Sequence, residues 1–252
     1  LSRIKNGEIC IIEGDSRQHY MLKRTYPNVY YRFIKDTDPV FYRTRYLNDA
    51  IRQVRSLIVG IWEDGGCTYH NRYSSWEIAR GQEGDLWKAD LSCQYDKKTV
   101  FKNKEVMLSY PPYTKMMAHD EVNRRVMDTE EKTSQAVTFR NGMEFIERNY
   151  KEDNWFLQIE TFDPHEPFYT LKEDKALYPH TFVGDEEAEA DWPPYAPVAE
   201  DENTVAHVRY EYAALLTKCD RYLGKVLDLM DKYNLWEDTM LIVNTDHGFL
   251  LG

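Results

Sequence analysis

The stretch that decides the fold is VAHVRYEYAALLTKCDRYLGKVLDLMDKYNLWEDTMLIVN, residues 205–244. Over residues 205–233 the apolar side chains recur in alternating steps of three and four, the spacing of one buried helical face. At 1.5 Å per residue such a helix is about 45 Å long. After a short polar turn, MLIVN (240–244) is too short for a helix and predicts a strand buried on both faces. This helix–loop–strand order is typical of an α/β protein.

The same unit occurs earlier in the chain. Residues 136–150 have the spacing of an apolar helix face, EDN predicts a turn, and WFLQIETF (155–162) predicts a strand. Each predicted strand runs directly into a short polar cluster, one into FDPHEPF (162–168) and the other into TDHG (245–248). Because ligands of open α/β sheets bind beyond the carboxyl ends of the strands, these two clusters are the candidate site.

In FDPHEPF, His165 lies between two carboxylates and two prolines. Proline fixes its own φ and restricts the preceding residue, so we expect Asp163 and Glu166 to be extended and the loop to be rigid. Rigid loops that follow strands often carry function, which makes His165 a candidate active-site residue. The alternative is a proline-stiffened connection whose histidine caps a backbone carbonyl.

In TDHG, Asp246 and His247 are neighbours at the end of a predicted strand, and Gly248 permits a turn with positive φ. Adjacent Asp and His side chains can bind one metal ion if the backbone turns between them. The alternative is a turn with a solvated histidine, because two-residue motifs are common by chance.

Composition and charge exclude some classes of protein. The 252 residues are 42% hydrophobic and 30% charged, and no apolar stretch reaches the roughly 18 residues of a membrane span. No leader with a cleavage site is visible, and the four cysteines form no CxxC pair, so we expect free thiols, which suit a reducing, cytoplasmic compartment. Residues 1–60 are basic, but the net charge of −11 argues against a nucleic-acid partner. The acidic segment 184–203 predicts an irregular surface excursion.

The two units together resemble the sulfatase family of the alkaline-phosphatase-like superfamily. That family has a strand ending in a His-Pro loop, then a helix with the pattern Y-A-x6-D-x3-G, then a strand ending in (S/T)-D-(H/N)-G. The helix pattern is met here by Tyr212, Ala213, Asp220 and Gly224. The segments WEDGGCTYHNRY and RGQEGDLW also look like pieces of bacterial members, so the resemblance covers roughly residues 60–252.

The resemblance implies a fold and an activity. The fold is α/β, a mostly parallel sheet flanked by helices, and the activity is hydrolysis of a small-molecule or saccharide sulfate ester. By the match of motifs, Asp246 and His247 resemble metal ligands, with calcium the usual ion, and His165 resembles the active-site histidine. The chemistry agrees, since a hard cation prefers carboxylate oxygens and imidazole exchanges protons near neutral pH.

The sequence also departs from the family pattern. No Cys or Ser lies in the formylglycine motif C/S-x-P/A-x-R, and the family's paired aspartates on the first strand have no counterpart. We therefore expect a central fragment with an incomplete sheet, in which 1–60 is an unassigned basic segment and 61–252 a partial sulfatase-like domain. Such a chain alone should bind metal weakly and be inactive.

Two other functions stay open from the sequence. One is a phosphonate or phosphate ester hydrolase of the same superfamily, whose metal would be manganese or zinc, because those enzymes also pair Asp with His at the metal. The other is a non-catalytic, degenerate family member that binds an anionic ligand or a partner protein.

Overall fold

The structure, a computed structural model, describes residues 9–15, 17–18, 29–35, 57–62, 73–104, 108–185, 187–249 and 251. The chain divides into two compact units, and each is described by itself. The first consists of residues 1–57, 149–156 and 226–249, and the second of residues 58–148, 157–225 and 250–252. The predicted division into 1–60 and 61–252 stays a prediction.

The described strands form two small sheets. In the first, β1 (Ile9–Asp15) pairs in parallel with β2 (Val29–Lys35). In the second, β3 (Leu57–Trp62) lies between β4 (Ser75–Ile78) and β5 (Trp155–Glu160), and β3 and β4 are parallel. Parallel pairing in both sheets agrees with the α/β class predicted from the sequence.

Both long helices predicted from apolar spacing are confirmed. The helices are α1 (Pro111–Arg124), α2 (Ser134–Asn149), the single turn α3 (Lys172–Lys175) and α4 (Glu202–Lys232), with 3₁₀ turns at Glu130–Lys132 and Leu235–Glu237. The predicted apolar stripe of α4 is buried at Val208, Leu215 and Tyr222. Two charged residues, Glu211 and Lys218, are buried with this stripe.

Helix α2 approaches strand β5 closely at a glycine. A Cβ atom on Gly142 would lie 2.6 Å from Cγ1 of Ile159, so a larger residue requires the Ile159 side chain or the helix to shift. The sequence marks Gly142 only as a weak helix former. Its close contact with the Ile159 side chain explains why the position is small.

The prediction of a buried strand at 240–244 is wrong. Residues 240–244 contain one isolated bridge position, at Leu241, and no strand. Met240 and Val243 are 42% and 52% exposed. A branched apolar run becomes a strand only where a neighbouring strand supplies a ladder of hydrogen bonds, and the described residues give this run a single bridge.

The prediction for residues 184–203 is half right. The segment is irregular, as its acidic and proline-rich composition predicts, but it is not a surface excursion throughout. Its middle, Glu189–Trp192, is buried because its charges and backbone are bound by other parts of the second unit. Lys104 pairs with Glu189, and its Nζ also donates to the Trp192 carbonyl at 3.0 Å.

Arg124 makes the second set of contacts to this segment. Its Nη1 lies 2.7 Å from Asp191 Oδ2, its Nε lies 2.6 Å from Asp120 Oδ2, and its guanidinium stacks 4.8 Å from the ring centre of Tyr169. The Phe168 N–H donates to the Asp191 carbonyl at 2.7 Å. Burial alone would raise the pKa of Asp191, but Arg124 overrides it and holds that pKa below its usual value. The buried ion pair therefore ties the segment to helix α1.

Two further predictions from composition can be compared with the structure. Cys93 and Cys219, the two cysteines whose side chains are described, are free thiols as predicted, and Cys10 and Cys67 lie outside the side chains described. Within the described ranges no helix combines the length and the apolar character that a membrane span requires.

Breaking the buried ion pair between Arg124 and Asp191 should destabilise the protein far more than breaking the exposed ion pair of the neighbouring Arg125. We expect Arg124→Met to lower the free energy of unfolding by about 3–5 kcal/mol, because it leaves two buried carboxylates without their counter-charge. Arg125→Met is the matched control, since Arg125 is 59% exposed and its solvent-screened pair with Asp90 should contribute little to stability. Urea unfolding measures both, and equal losses would contradict the assignment.

Candidate functional site

The loop that follows β5, residues 161–168, turns back on itself immediately after the strand. The His165 N–H donates to the Phe162 carbonyl at 3.0 Å, and Thr161 Oγ1 donates to the Asp163 carbonyl at 3.2 Å. The peptide bonds before Pro164 and Pro167 are both cis. Phe168 is fully buried and anchors the end of the loop against the ring of Tyr212, with ring centres 5.2 Å apart.

Asp163 fastens the first half of this loop to two other elements. Its carboxylate is buried, with Lys218 Nζ of α4 3.7 Å from Oδ2 and Gln82 Nε2 donating to Oδ1 at 3.1 Å. Burial raises the pKa of Asp163, and the neighbouring Lys218 ammonium and Gln82 amide act in the opposite direction. The lysine inside the apolar stripe of α4 is therefore the counter-charge of the loop.

His165 is partly accessible and its orientation is defined. Its side chain is 25% exposed, and its ring lies 4.4 Å from the ring centre of Phe162 at an angle of 49°. Its Nδ1 lies 2.8 Å from the Glu166 carbonyl oxygen. This contact is the one expected if His165 merely caps a backbone carbonyl, the alternative to an active-site role. It occupies only Nδ1, however, so it does not exclude that role. Because a carbonyl cannot donate, Nδ1 must carry the proton, and Nε2 is the nitrogen with the lone pair in the neutral ring.

Asp246 and His247 form a local pair in the first unit. Asp246 Oδ2 lies 4.0 Å from His247 Nε2, so one cation could contact both atoms. The His247 N–H donates to Asp246 Oδ1 at 3.1 Å, and Nδ1 lies 3.2 Å from the Gly248 carbonyl, a contact that leaves Nε2 as the ligating nitrogen. Both side chains are well exposed. Hydrogen bonding of the second ring nitrogen is usual for a metal-binding histidine, so the residue types and orientation fit a metal.

The ligand set around this pair is small. Among the described residues no cluster of three or more His, Cys, Asp or Glu side chains could hold a metal ion. Calcium takes about 6–8 oxygen ligands, so Asp246 and His247 supply at most a small part of a coordination shell. His165 belongs to the second unit and this pair to the first. Convergence of the three residues in one cavity stays a prediction.

Sequence reasoning missed three residues around the His165 loop. Lys218 had a signal, because a lysine within an apolar helical face requires a buried partner. Gln82 and Tyr195 had none, since both come from segments that the sequence describes only as irregular. The Tyr195 hydroxyl donates to Glu166 Oε1, and burial, together with this carboxylate, raises the pKa of the Tyr195 phenol.

Comparisons with known proteins identify the family. The sulfatase family model matches residues 69–252, well over half of the chain, and the chain belongs to the sulfatase family. It is 38% identical over 52 residues to the multifunctional alkaline phosphatase superfamily protein PehA of Trinickia caryophylli, which is 21% of this chain and 10% of that protein. The predicted family and its alkaline-phosphatase-like fold are thereby confirmed.

A solved structure is also similar. It is that of Ps i-CgsB in complex with k-i-k-neocarrahexaose, with 16% sequence identity and a TM-score of 0.38. The match covers 75% of this chain and 36% of that chain, so this sequence spans about a third of the length of that protein.

Removing the counter-charge of Asp163 should give a pH-dependent loss of stability. We expect Lys218→Met to lower the free energy of unfolding by about 3–5 kcal/mol at pH 7.5 and by less at pH 5. The folded pKa of Asp163 lies above its unfolded value, so its favourable contribution is present at low pH and is lost as the pH rises through the folded pKa. Without Lys218 that pKa rises further, and protonation then relieves the buried charge.

The control for this experiment is Lys225→Met, an exposed lysine on the same helix. Urea unfolding at the two pH values measures both variants, and the control should change stability by less than about 1 kcal/mol. A Lys218→Met loss that is the same at pH 7.5 and pH 5 would show that Lys218 does not compensate the Asp163 carboxylate.

Proposed function

We propose that this chain is part of a metal-dependent hydrolase of sulfuric esters, in which His165 acts on the ester and Asp246 and His247 hold the cation. The observation that carries the proposal is the sulfatase family match over residues 69–252, which includes all three residues. The class of substrate is a small-molecule or saccharide sulfate ester.

The geometry of His165 supports its role in this proposal. The contact of Nδ1 with the Glu166 carbonyl directs the proton to that nitrogen, so Nε2 is the atom that would exchange a proton with the leaving group or contact the sulfuryl oxygens. The ring is neither fully buried nor fully solvated, since it is 25% exposed, which suits a group that must meet a substrate. The anchored loop holds the ring with little freedom, as productive proton transfer requires.

A divalent cation would supply charge stabilisation for the departing sulfate. Asp246 would offer a carboxylate oxygen and His247 its Nε2, with Nδ1 bound to the Gly248 carbonyl. Carboxylate oxygen suits calcium, whereas the imidazole nitrogen favours manganese or zinc.

The second candidate is a phosphonate or phosphate ester hydrolase. Two observations favour it, the similarity to a protein described as a multifunctional alkaline phosphatase superfamily member and the imidazole in the candidate ligand pair. The nucleophile of the longer protein would distinguish the two candidate activities. A Cys in the formylglycine consensus favours hydrolysis of a sulfate ester, and a Thr as the nucleophile favours hydrolysis of a phosphate ester.

The activity is tested in a longer chain that joins this sequence to a nucleophile segment. We expect His165→Ala to lower kcat for an aryl sulfate by roughly 10²–10⁴-fold, the usual contribution of general acid–base catalysis. His180→Ala, which removes an exposed histidine of the same unit, is the control and should leave kcat within about twofold. Unchanged hydrolysis by His165→Ala removes that residue from the mechanism. Hydrolysis of an aryl phosphonate but not of the sulfate favours the second candidate.

Metal binding is tested on this chain by calorimetric titration. We expect calcium to bind weakly, with a dissociation constant of about 10⁻⁴ M or higher, because two side chains fill only part of a coordination shell, and a clear preference for manganese or zinc would favour the second candidate. The variant Asp246→Asn with His247→Asn should abolish the binding, whereas Asp238→Asn should not alter it. Tight stoichiometric calcium binding by this chain would contradict the ligand assignment, since it requires further ligands.

A further inference from the structure

The Glu166 carboxylate is buried beside the candidate catalytic histidine and has a definite set of partners. Its residue is 2% exposed, so the charge is almost fully removed from water. Oε1 accepts a hydrogen bond from the Tyr195 hydroxyl. Oε2 lies 3.1 Å from His165 Nδ1, within ion-pair distance, but accepts no hydrogen bond from the described residues. A buried carboxylate needs polar neighbours, and this one has the Tyr195 hydroxyl on Oε1 and the edge of the His165 ring beside Oε2.

We propose that Glu166 is a positioning residue for His165, held in place by Tyr195, and that it fixes the tautomer and the orientation of the imidazole. The proposal rests on the proposed function insofar as His165 is the group that meets the ester. The positioning itself is a property of this chain and is measurable without any substrate.

The tautomer follows from the types of atom around Nδ1. Two oxygens face it, the Glu166 carbonyl oxygen at 2.8 Å, which can only accept, and the Glu166 carboxylate oxygen at 3.1 Å. Nδ1 must therefore carry the proton. Free histidine in water prefers the opposite tautomer, with the proton on Nε2, so Glu166 reverses the intrinsic preference and leaves the lone pair on Nε2.

The orientation follows from the fixed carboxylate. Tyr195 holds Oε1, which sets the rotation of the carboxylate and aims Oε2 at the ring. Tyr195 belongs to the irregular segment 184–203, whose middle is tied to α1 by the Arg124–Asp191 ion pair. The ring of Phe162 packs against the imidazole on the same loop. The segment that the sequence describes as an excursion thus contributes one hydrogen bond to the candidate active site.

A pair of substitutions gives this proposal a specific signature. In Glu166→Gln, the Tyr195 hydroxyl should still donate to the side-chain oxygen, which places the amide NH₂ where Oε2 was. The amide NH₂ would then oppose the Nδ1 proton while the main-chain carbonyl of residue 166 still accepts it, so part of the His165 population should move to the Nε2 tautomer. When Tyr195→Phe is added, the amide is free to rotate and present its oxygen to Nδ1. The double variant should therefore recover part of the original tautomer.

The experiment is nitrogen NMR of the chain with ¹⁵N-labelled histidine rings, at a pH where the ring is neutral. His165→Asn identifies the resonances. We expect the unsubstituted chain to show Nδ1 at a protonated frequency and Nε2 at an unprotonated one, Glu166→Gln to shift toward the opposite pattern, and the double variant to shift back. Controls are Glu173→Gln and Tyr113→Phe, exposed residues of the same types, which should leave the His165 resonances unchanged.

Each outcome decides the proposal. Nε2 protonation in the unsubstituted chain overturns it, as does a Glu166→Gln spectrum identical to the parent. A Glu166→Gln shift that Tyr195→Phe does not reverse overturns the role of Tyr195. Should Glu166→Gln not fold, Tyr195→Phe alone tests the orientation, because the Tyr195 residue is 80% exposed and its change releases Oε1 without disturbing the core. Either carboxylate oxygen can still face Nδ1, so we expect the tautomer to persist and the His165 resonances to shift as the ring loses its fixed orientation. Unchanged His165 resonances in that variant overturn the role of Tyr195 in the proposal.

Kinetics separate this inference from the proposed function. In the longer, active chain we expect Glu166→Gln to lower kcat about 10–100-fold, the range found for residues that orient a functional histidine, with KM within about twofold. If Glu166→Gln changes the tautomer but the longer, unsubstituted chain does not hydrolyse the ester, the proposed function is wrong and the positioning role stands. If the longer chain hydrolyses the ester but Glu166→Gln leaves the tautomer unchanged, only the positioning role is wrong.

Discussion

A carboxylate removed from water must be paired or protonated, and the loop after β5 buries two of them within four residues. Asp163 is compensated by Lys218 of α4 and by Gln82, whereas Glu166 accepts a hydrogen bond from the Tyr195 hydroxyl and lies beside the His165 ring. These contacts come from three separate parts of the sequence. The loop is thus held by the compensated charge of Asp163 and by the hydrogen bond to Glu166 as well as by its prolines, and we propose that the imidazole takes its orientation from Glu166.

The irregular parts of the second unit gain their order in the same way. The segment 184–203 has little regular structure, yet Glu189 and Asp191 place it against Lys104 and Arg124 in the interior. Buried ion pairs of this kind add less stability than apolar packing of the same volume, but each becomes costly to break once it is formed. They specify one position for a segment that has no helix or strand to specify it, and that position brings Tyr195 to Glu166.

The spacing of apolar residues was sufficient to predict the helices that bury one continuous face. Helices α2 and α4 and strand β5 follow directly from apolar spacing, and the family was recognisable because motif order and residue identity agree. The strand expected at 240–244 fails because strand formation depends on a pairing partner, which no local pattern encodes. The partners of the His165 loop were also beyond local reasoning, because Gln82 and Tyr195 are far from His165 in sequence and lie in irregular segments. Only for Lys218 could a buried partner be predicted, because it is a charged residue on an apolar helix face.

The proposed function requires that His165 and the Asp246–His247 pair act on one bound anion. A crystal structure of a longer, active chain with a divalent cation and sulfate decides this through the distance from His165 Nε2 to the metal. We expect one sulfate that contacts both the cation and Nε2. A cation at Asp246 and His247 that lies about a domain's width from His165, roughly tens of ångströms, would contradict it.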